Sequence, residues 1–208
     1  MFPPPKVVTL IMTGASGAQY GLRLLEVLVE KGIQINLLLS RPGQLVIYME
    51  TNLQVPGRAN EAEVYFSELY KAQSGQIRVF EREQWMSPVA SGSGVADATV
   101  VCPCTTSTLS AIAVGASKSL IERAADVCLK ERKQLILVVR ETPFSDIHLE
   151  NMLKLSRMGA VIMPANPGFY FKPTTIDELI DFIVARVLDH LRIPHELTAR
   201  WGDKGCFP

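Results

Sequence analysis

The sequence predicts an α/β fold: a single doubly wound, Rossmann-like (flavodoxin-like) domain with three layers and a mainly parallel sheet. Short apolar runs typical of buried strands alternate along the chain with segments of helical spacing. Such alternation places helices on both faces of a parallel sheet. The 208 residues, 48% of them hydrophobic, are enough for one large domain, so we expect residues 1–208 to form a single unit.

Composition excludes several classes of protein. The chain has 21 basic and 21 acidic residues, so it lacks the basic surplus that drives nucleic-acid binding. No apolar run approaches the roughly 18 residues that span a bilayer, and the N-terminus lacks the features of a secretory signal, so we expect a cytoplasmic protein. The spacing of the cysteines fits neither a disulfide framework nor a metal motif, which predicts reduced, mostly buried thiols. They are Cys102, Cys104, Cys128 and Cys206.

In the first half of the chain, apolar spacing and boundary residues define six elements. Gly32 ends the first helix, and Ser40 can cap the helix that follows the second strand. The third helix is more polar, which predicts a peripheral position. The predicted strands are residues 6–12, 33–39 and 76–80, and the predicted helices are residues 18–31, 44–51 and 60–73.

In the second half, the same alternation continues with clearer helix starts. Ser119 with Glu122, and Thr175 with Glu178, have the spacing of capping boxes. The helix from residue 106 is rich in small residues, which allow close approach of a neighbouring element or a ligand. The predicted strands are residues 98–102, 134–139 and 160–163, and the predicted helices are 106–116, one opening at 119, 146–157 and 175–192.

The loops that leave the strands share one edge of such a sheet, which is the usual ligand position in open α/β folds. The first of them contains Gly14, Gly17 and Gly21, whose spacing differs from the GxGxxG pattern of dinucleotide sites. The second strand ends in Ser40, where a dinucleotide fold usually offers an acidic residue. Both features favour a mononucleotide such as FMN over NAD, although a tight turn that needs glycine for steric reasons is an equally good explanation.

A second loop, Thr105–Thr108, carries four consecutive hydroxyls at a strand–helix junction. Hydroxyls and free amides at a helix N-terminus hold phosphate well, while ordinary helix capping is the alternative. The Ser91–Gly94 segment indicates only a polar loop.

Charged residues around the strand at 134–139 indicate an anionic, phosphorylated ligand. Arg140 and Glu141 follow this apolar run directly, and Arg123 and Lys130 lie on the preceding helix. We expect the three cations and the carboxylate to gather near one edge of the sheet. Glu50 follows an apolar helix, and its sequence context alone favours a solvated helix end.

Other candidates have simple structural explanations. Arg186 can pair with Asp189 three residues later on a helix, and Trp201 near the C-terminus has the position of a packing anchor. The three histidines, His148, His190 and His195, show no metal-ligand spacing, and we interpret all three as incidental.

These motifs together resemble the bacterial flavin prenyltransferases, formerly labelled 3-octaprenyl-4-hydroxybenzoate carboxy-lyases. The resemblance covers nearly the whole chain, through TGASGAQYG, ERAADVCLKER, RETPFSDIHLENMLKLSRMGAVIMPANPGFY and ARWG. It implies a flavoprotein domain that joins reduced FMN to dimethylallyl phosphate through flavin N5 and C6 and releases phosphate. The product, prenylated FMN, is the cofactor of a partner family of decarboxylases, including those of ubiquinone biosynthesis.

The resemblance also implies roles for individual residues. Those matching the family's FMN contacts are Gly14, Ala15, Ser16, Ser40, Thr105, Thr106, Ser107, Thr108 and Arg140. Those matching its prenyl-phosphate site are Tyr170, Arg186, Arg123, Lys130 and Trp201. Ser16, Glu50 and Glu141 match residues that handle protons, and Lys130 joins them as a catalytic cation. Which hydroxyls of Thr105–Thr108 contact FMN is left open.

Physical chemistry agrees with a transfer that needs no metal. Prenyl transfer commonly uses magnesium and paired aspartates, whereas this chain offers Arg and Lys side chains that can stabilise a leaving phosphate. Several of these residues lie far apart in sequence, so we expect neighbouring subunits to complete the pocket, in a homo-oligomer that is a dodecamer by resemblance. The tail at about 193–208 is expected to pack on a neighbour.

Two other functions fit parts of the sequence. A flavin-dependent cysteine decarboxylase of the same wider group typically uses an early histidine, and none precedes His148 here. A non-catalytic flavin carrier would keep the FMN loops but would not need Lys130, Glu141, Tyr170 and Arg186 together.

Overall fold

A six-stranded parallel sheet forms the centre of the molecule, in a computed structural model that describes residues 3–200 and 202. Its strand order is β3-β2-β1-β4-β5-β6, and every neighbouring pair is parallel. The predicted fold class, a three-layer doubly wound domain, is confirmed. The strands are β1 Val7–Met12, β2 Gln34–Leu39, β3 Ile77–Val79, β4 Ala98–Cys104, β5 Gln134–Val139 and β6 Val161–Pro164.

Seven α-helices are described around this sheet. Two short 3-10 turns, Pro88–Ala90 and Gly92–Gly94, lie between β3 and β4, and the second falls in Ser91–Gly94, which the sequence predicted only as a polar loop. The helices are α1 Ala18–Glu30, α2 Arg41–Thr51, α3 Ala59–Leu69, α4 Thr106–Ala113, α5 Leu120–Lys130, α6 Asp146–Arg157 and α7 Ile176–Leu191.

The three layers follow from the alternation of side chains along each strand. On β1, Leu10 joins one core with residues of α1 and α7, while Ile11 joins a second core with residues of α4 and α5. Both side chains are 0% exposed. Because both faces are buried, the strands are apolar throughout, and this gave the continuous apolar runs in the sequence.

Helix boundaries agree with the caps predicted from sequence. The Ser119–Glu122 and Thr175–Glu178 capping boxes are both formed, and Ser40 accepts a hydrogen bond from the Gly43 amide at 2.9 Å. Because the side chain of Ser40 caps the chain directly after β2, helix α2 begins at Arg41, three residues before the predicted start. Helix α3 ends at Leu69, four residues earlier than predicted.

The strand order places a topological switch point between β1 and β4. Chain connections leave β1 toward β2 on one side and leave β4 toward β5 on the other, so the loops after β1 and β4 diverge at the carboxyl edge. We call this edge the rim, defined by Thr13–Gly17, Ser40, Thr105–Thr108 and Arg140–Glu141. Within the described residues, no helix has the length and apolar character needed to cross a bilayer.

Helix α1 lies unusually close to the sheet at Gly21. A Cβ atom there would collide with the carbonyl oxygen of Cys102 and would lie 2.6 Å from Cε of Met12. The glycine therefore sets the distance at which α1 packs and, through it, the position of the first rim loop.

Substituting Gly21→Ala should lower the free energy of unfolding by about 1–3 kcal/mol, because α1 must move away from the sheet. Urea unfolding followed by circular dichroism measures this loss. Gly57→Ala is the matched control, since a Cβ atom at Gly57 meets nothing within 4 Å. Equal unfolding midpoints for the two variants would contradict the close approach.

Candidate functional site

Thr13 fixes the first rim loop to the end of β4. Its hydroxyl donates to the carbonyl oxygen of Pro103 at 2.8 Å and accepts a hydrogen bond from the amide of Thr105 at 2.9 Å. The Thr13 side chain is 3% exposed, so both bonds are shielded from water. The two loops proposed from sequence to share a ligand are therefore held side by side at the switch point.

Glu50 caps helix α1, which corrects the expectation of a solvated helix end. Its carboxylate accepts hydrogen bonds from the amide of Gly17 at 3.0 Å and from the amide of Ala18 at 2.8 Å. The contact joins the end of α2 to the start of α1, where the helix dipole favours negative charge. The amides of Gly17 and Ala18, which could have bound a phosphate, are thus occupied by a carboxylate of the chain itself.

The N-terminus of α4 has a different character. Thr105 is its N-cap, and its hydroxyl accepts from the Thr108 amide at 3.0 Å and lies 2.9 Å from the Thr108 hydroxyl. The amides of Thr106 and Ser107 lie in the first turn, where a helix supplies no acceptor. With a partly exposed Thr106 and an exposed Ser107, this helix end presents donors to the rim.

Arg140 links β5 to the first loop. Its Nε donates to the carbonyl oxygen of Ser16 at 3.3 Å, and Glu141 beside it is only partly exposed. The half-buried phenol of Tyr20 lies in the same region: burial raises its pKa, the charge of Arg140 lowers it and that of Glu50 raises it. One protomer therefore brings together Ser16, Arg140 and the α4 N-terminus, as predicted for loops at one edge, and Glu50 joins them as the cap of α1.

Ala15 and Gly14 contribute backbone to this site. Ala15 is 7% exposed, and a Cβ atom at Gly14 would collide with the side chain of Pro42. The first loop is thus packed against the start of α2, and Ser16 is its exposed side chain. The steric explanation holds for Gly14, because close packing against Pro42 requires a glycine there. The ligand-binding explanation stays a prediction.

Lys130 lies at the other edge of the sheet, so the expectation that three cations gather around Glu141 is wrong for one protomer. Helix α5 ends at Lys130, and β5 then begins at Gln134 on the amino edge. The six residues of β5 separate that edge from Arg140 by about 20 Å. A crossover helix runs antiparallel to the strands it connects, so its last residue cannot reach their carboxyl ends.

Arg123 and Lys130 instead contact the 3-10 turns. Arg123 Nε donates to the carbonyl oxygen of Ala90 at 3.1 Å, and its Nη1 pairs with Asp126 at 3.0 Å. Lys130 pairs with Glu131, and a Cβ atom at Gly92 would collide with the Glu131 carboxylate and would lie 2.9 Å from Lys130 Nζ. Gly92 therefore permits close contact between the turn and this ion pair. The sequence did not indicate this role, because Gly92 and Lys130 are 38 positions apart.

A third group lies on helix α7. The ring of Tyr170 packs edge-on against Phe182, with centroids 5.9 Å apart, and Phe182 is one helical turn before Arg186. Arg186 Nη1 pairs with Asp189 at 2.7 Å, which is the pairing predicted from their spacing. Trp201 lies outside the described residues, so its predicted place beside the prenyl chain stays a prediction.

The cysteines are buried thiols in the part of the chain that the structure describes. Burial raises the pKa of Cys104 to about 12 and that of Cys128 to about 11, and it also raises the pKa of Cys102. These three thiols are free and stay protonated at neutral pH, so they are unsuited to nucleophilic chemistry. Among residues 3–200, no group of three His, Cys, Asp or Glu side chains could hold a metal ion.

Chemically, the rim fits a mononucleotide. The α4 amides and the hydroxyls of Ser40, Thr106 and Ser107 are donors suited to a phosphate monoester or a polar ring, and Arg140 adds a positive charge. Two carboxylates belong to the same edge: Glu50 is held by the amides of Gly17 and Ala18, and Glu141 accepts from the amide of Thr142.

Comparison with known proteins identifies the family. The family described as Flavoprotein matches residues 3–188. The chain is 54% identical over 200 residues to flavin prenyltransferase UbiX of Pseudomonas aeruginosa, and the alignment covers 96% of each chain. The chain belongs to the flavin prenyltransferase family.

Solved structures of this family share the fold described above. A crystal structure of AnUbiX (PadA1) in complex with FMN and dimethylallyl pyrophosphate superposes with a TM-score of 0.84 at 38% identity, covering 95% of this chain and 97% of that one. A dodecameric FMN-dependent UbiX-like decarboxylase from Escherichia coli O157:H7 gives 0.81 at 38% identity, covering 94% and 98%.

Replacing the carboxylate that caps α1 should destabilise the protein. We expect Glu50→Gln to lower the free energy of unfolding by about 1–2 kcal/mol, because the amide has one acceptor oxygen and no charge for the helix N-terminus. Urea unfolding measures the loss. Glu30→Gln, at the exposed opposite end of the same helix, is the control; a loss no larger than that control would refute the cap.

Proposed function

We propose that the chain is a metal-independent flavin prenyltransferase that joins reduced FMN and dimethylallyl phosphate to give prenylated FMN and free phosphate. The observation that carries this proposal is the rim itself: α4 amides, hydroxyls, Arg140 and two carboxylates converge at the switch point of a chain from the flavin prenyltransferase family. Reduced FMN supplies the nucleophilic positions N5 and C6.

The rim holds the flavin nucleotide in this proposal. Thr105–Thr108 and the α4 N-terminus bind its phosphate, and the backbone at Gly14 and Ala15, with the hydroxyls of Ser16 and Ser40, faces the rest of the molecule. Arg140 is anchored to the Ser16 carbonyl through Nε, which leaves its Nη atoms as donors for an anion. The anchored guanidinium needs little further ordering when the ligand binds.

The leaving phosphate needs positive charge from more than one protomer. When the allylic C–O bond breaks, both electrons go to phosphate, and preorganised cations stabilise that charge. We assign Arg140, Arg123, Lys130, Arg186 and Tyr170 to this task. Because Lys130 lies at the opposite sheet edge from Arg140, neighbouring protomers must bring these groups together, in an assembly that we propose is a homo-dodecamer.

Three side chains handle protons in this scheme. The Glu50 carboxylate is held by the amides of Gly17 and Ala18, the two residues that follow Ser16 in the chain. Glu141 follows Arg140 at the end of β5. We propose that Ser16 and Glu50 act near the flavin and that Glu141 acts near the departing phosphate.

The five-carbon group requires an apolar, electron-rich wall. Tyr170 is half exposed, and Phe171 and Phe182 stack with centroids 5.4 Å apart beside it. Aromatic faces stabilise a developing allyl cation. We assign this surface, together with Trp201, to the prenyl chain. The tail at about 193–208 was expected to pack on a neighbouring subunit, but Ile193 is 4% exposed in the core of its own protomer. We therefore propose that contact for residues 203–208 alone.

The product passes to a prenylated-FMN-dependent decarboxylase in the cytoplasm, where the free thiols remain reduced. A cysteine decarboxylase is the weaker alternative, because membership of the prenyltransferase family and the absence of a histidine before His148 both count against it. A non-catalytic flavin carrier would have no need of the cations assigned to the leaving phosphate.

Anaerobic incubation with reduced FMN and dimethylallyl phosphate should convert the flavin to a species heavier by one five-carbon unit, detected by mass spectrometry. EDTA should leave the rate unchanged, because the cations are side chains of the protein. Flavin of unchanged mass would exclude the prenyltransferase, and EDTA inhibition that magnesium reverses would exclude the metal-free site. Oxidised FMN is the control that should give no product.

A further inference from the structure

Asp189 collects three basic side chains on one carboxylate. Its Oδ2 accepts from Arg186 Nη1 at 2.7 Å, and its Oδ1 lies 3.1 Å from His195 Nε2 and 3.3 Å from Arg200 Nη2. The side chain of Asp189 is 25% exposed, whereas Arg186 is 53% exposed. Within this ion pair the carboxylate is therefore the inner group and the Arg186 guanidinium the outer one.

Arg186 uses little of its hydrogen-bonding capacity in this pair. A guanidinium has five N–H donors, and within the described residues Asp189 is the one acceptor that Arg186 contacts. The remaining donors are available to an anion on the same side of α7 as Tyr170, since Phe182, which Tyr170 contacts, is one turn away. Asp189 thus fixes the direction of a side chain that is otherwise flexible.

His195 buries the other side of the carboxylate. Its side chain is 3% exposed, and among the described residues its Nδ1 has no hydrogen-bond partner, so Asp189 is its polar anchor. The preceding Ile193 is 4% exposed, and its amide donates to the Leu188 carbonyl at 3.0 Å. The chain after α7 therefore folds back onto the helix. The interpretation of His195 as incidental was wrong, because this buried side chain anchors the segment to Asp189.

We propose that Asp189 is a positioning residue for the binding of dimethylallyl phosphate. It holds Arg186 toward the phosphate through Oδ2, and through Oδ1 it fixes His195 and Arg200 in the segment that leads to Trp201. The inference rests on the role proposed for Arg186. A guanidinium already held by a carboxylate loses less freedom on binding an anion, which increases affinity without a new contact.

The test is equilibrium binding of dimethylallyl phosphate to the full-length protein loaded with oxidised FMN, measured by calorimetry, so that no turnover is needed. Asp189→Asn should raise the dissociation constant by about tenfold and leave the affinity for FMN within about twofold. Asp181→Asn is the matched control, because Asp181 lies on the same helix and pairs with Arg23 at 2.7 Å away from this cluster. It should leave the affinity for dimethylallyl phosphate unchanged.

A pair of substitutions at His195 separates positioning from packing. In His195→Gln the side-chain amide nitrogen takes a place similar to Nε2 and can still donate to Asp189, whereas the shorter His195→Asn cannot reach it. We expect His195→Gln to bind dimethylallyl phosphate with an affinity within about twofold of wild type. We expect His195→Asn to lose as much affinity for this ligand as Asp189→Asn does. A purely structural role would weaken both alike, since both remove the imidazole.

The inference would be overturned if Asp189→Asn, Asp181→Asn and wild type bound dimethylallyl phosphate with equal dissociation constants. If Asp189→Asn does not fold, equal affinities of the two His195 variants would overturn it. The failure of this inference is distinct from the failure of the proposed function. If wild type binds dimethylallyl phosphate but leaves the mass of FMN unchanged under reducing conditions, prenyl transfer is refuted and Asp189 remains a positioning residue. Wild type that does not bind dimethylallyl phosphate refutes both.

Discussion

The polarity of the parallel sheet is the constraint on which the site depends. Every strand ends at the same edge, and every crossover helix returns to the opposite edge, so residues at strand ends and at helix ends are separated by the length of a strand. Arg140 and Glu141 follow β5 at one edge, and Lys130 precedes it at the other. In the proposed enzyme these residues serve one phosphate, and the fold itself therefore requires that a neighbouring protomer supply part of the site.

Two helix N-termini at the rim have different tasks. Helix α1 is capped by Glu50, so its favourable electrostatics hold a carboxylate in place rather than a ligand. Helix α4 is capped by Thr105 and leaves amides and hydroxyls in its first turn for a bound group. Thr13 joins the two loops, because its buried hydroxyl bonds to both Pro103 and Thr105. One helix N-terminus at this edge is therefore closed by a carboxylate of the chain, and the other leaves its first-turn amides open.

The fold was predictable because its signals are local. Apolar runs gave all six strands, residues 134–139 and 146–157 have the predicted bounds of β5 and α6, and capping residues located α5 and α7. The rim loops followed from topology. The contact of Glu50 with Gly17, the approach of Gly92 to Lys130 and the burial of His195 against Asp189 were not predictable, since they depend on how α2, the 3-10 turns and the segment after α7 pack. Nearness in the chain does not place Lys130 beside Arg140, because α5 ends at the edge of the sheet where β5 begins.

Subunit complementation tests the shared site most directly. Lys130→Ala and Arg140→Ala homo-oligomers should each be inactive in prenyl transfer. Hybrids formed by co-expressing the two variants should recover about one quarter of wild-type activity. This is the share of sites at which random mixing brings a native Lys130 from one subunit to a native Arg140 from another. The control is the homo-oligomer in which every subunit carries both Lys130→Ala and Arg140→Ala, and it should stay inactive. Hybrids without activity would mean that Lys130 and Arg140 of the same protomer serve one site, which would contradict the account.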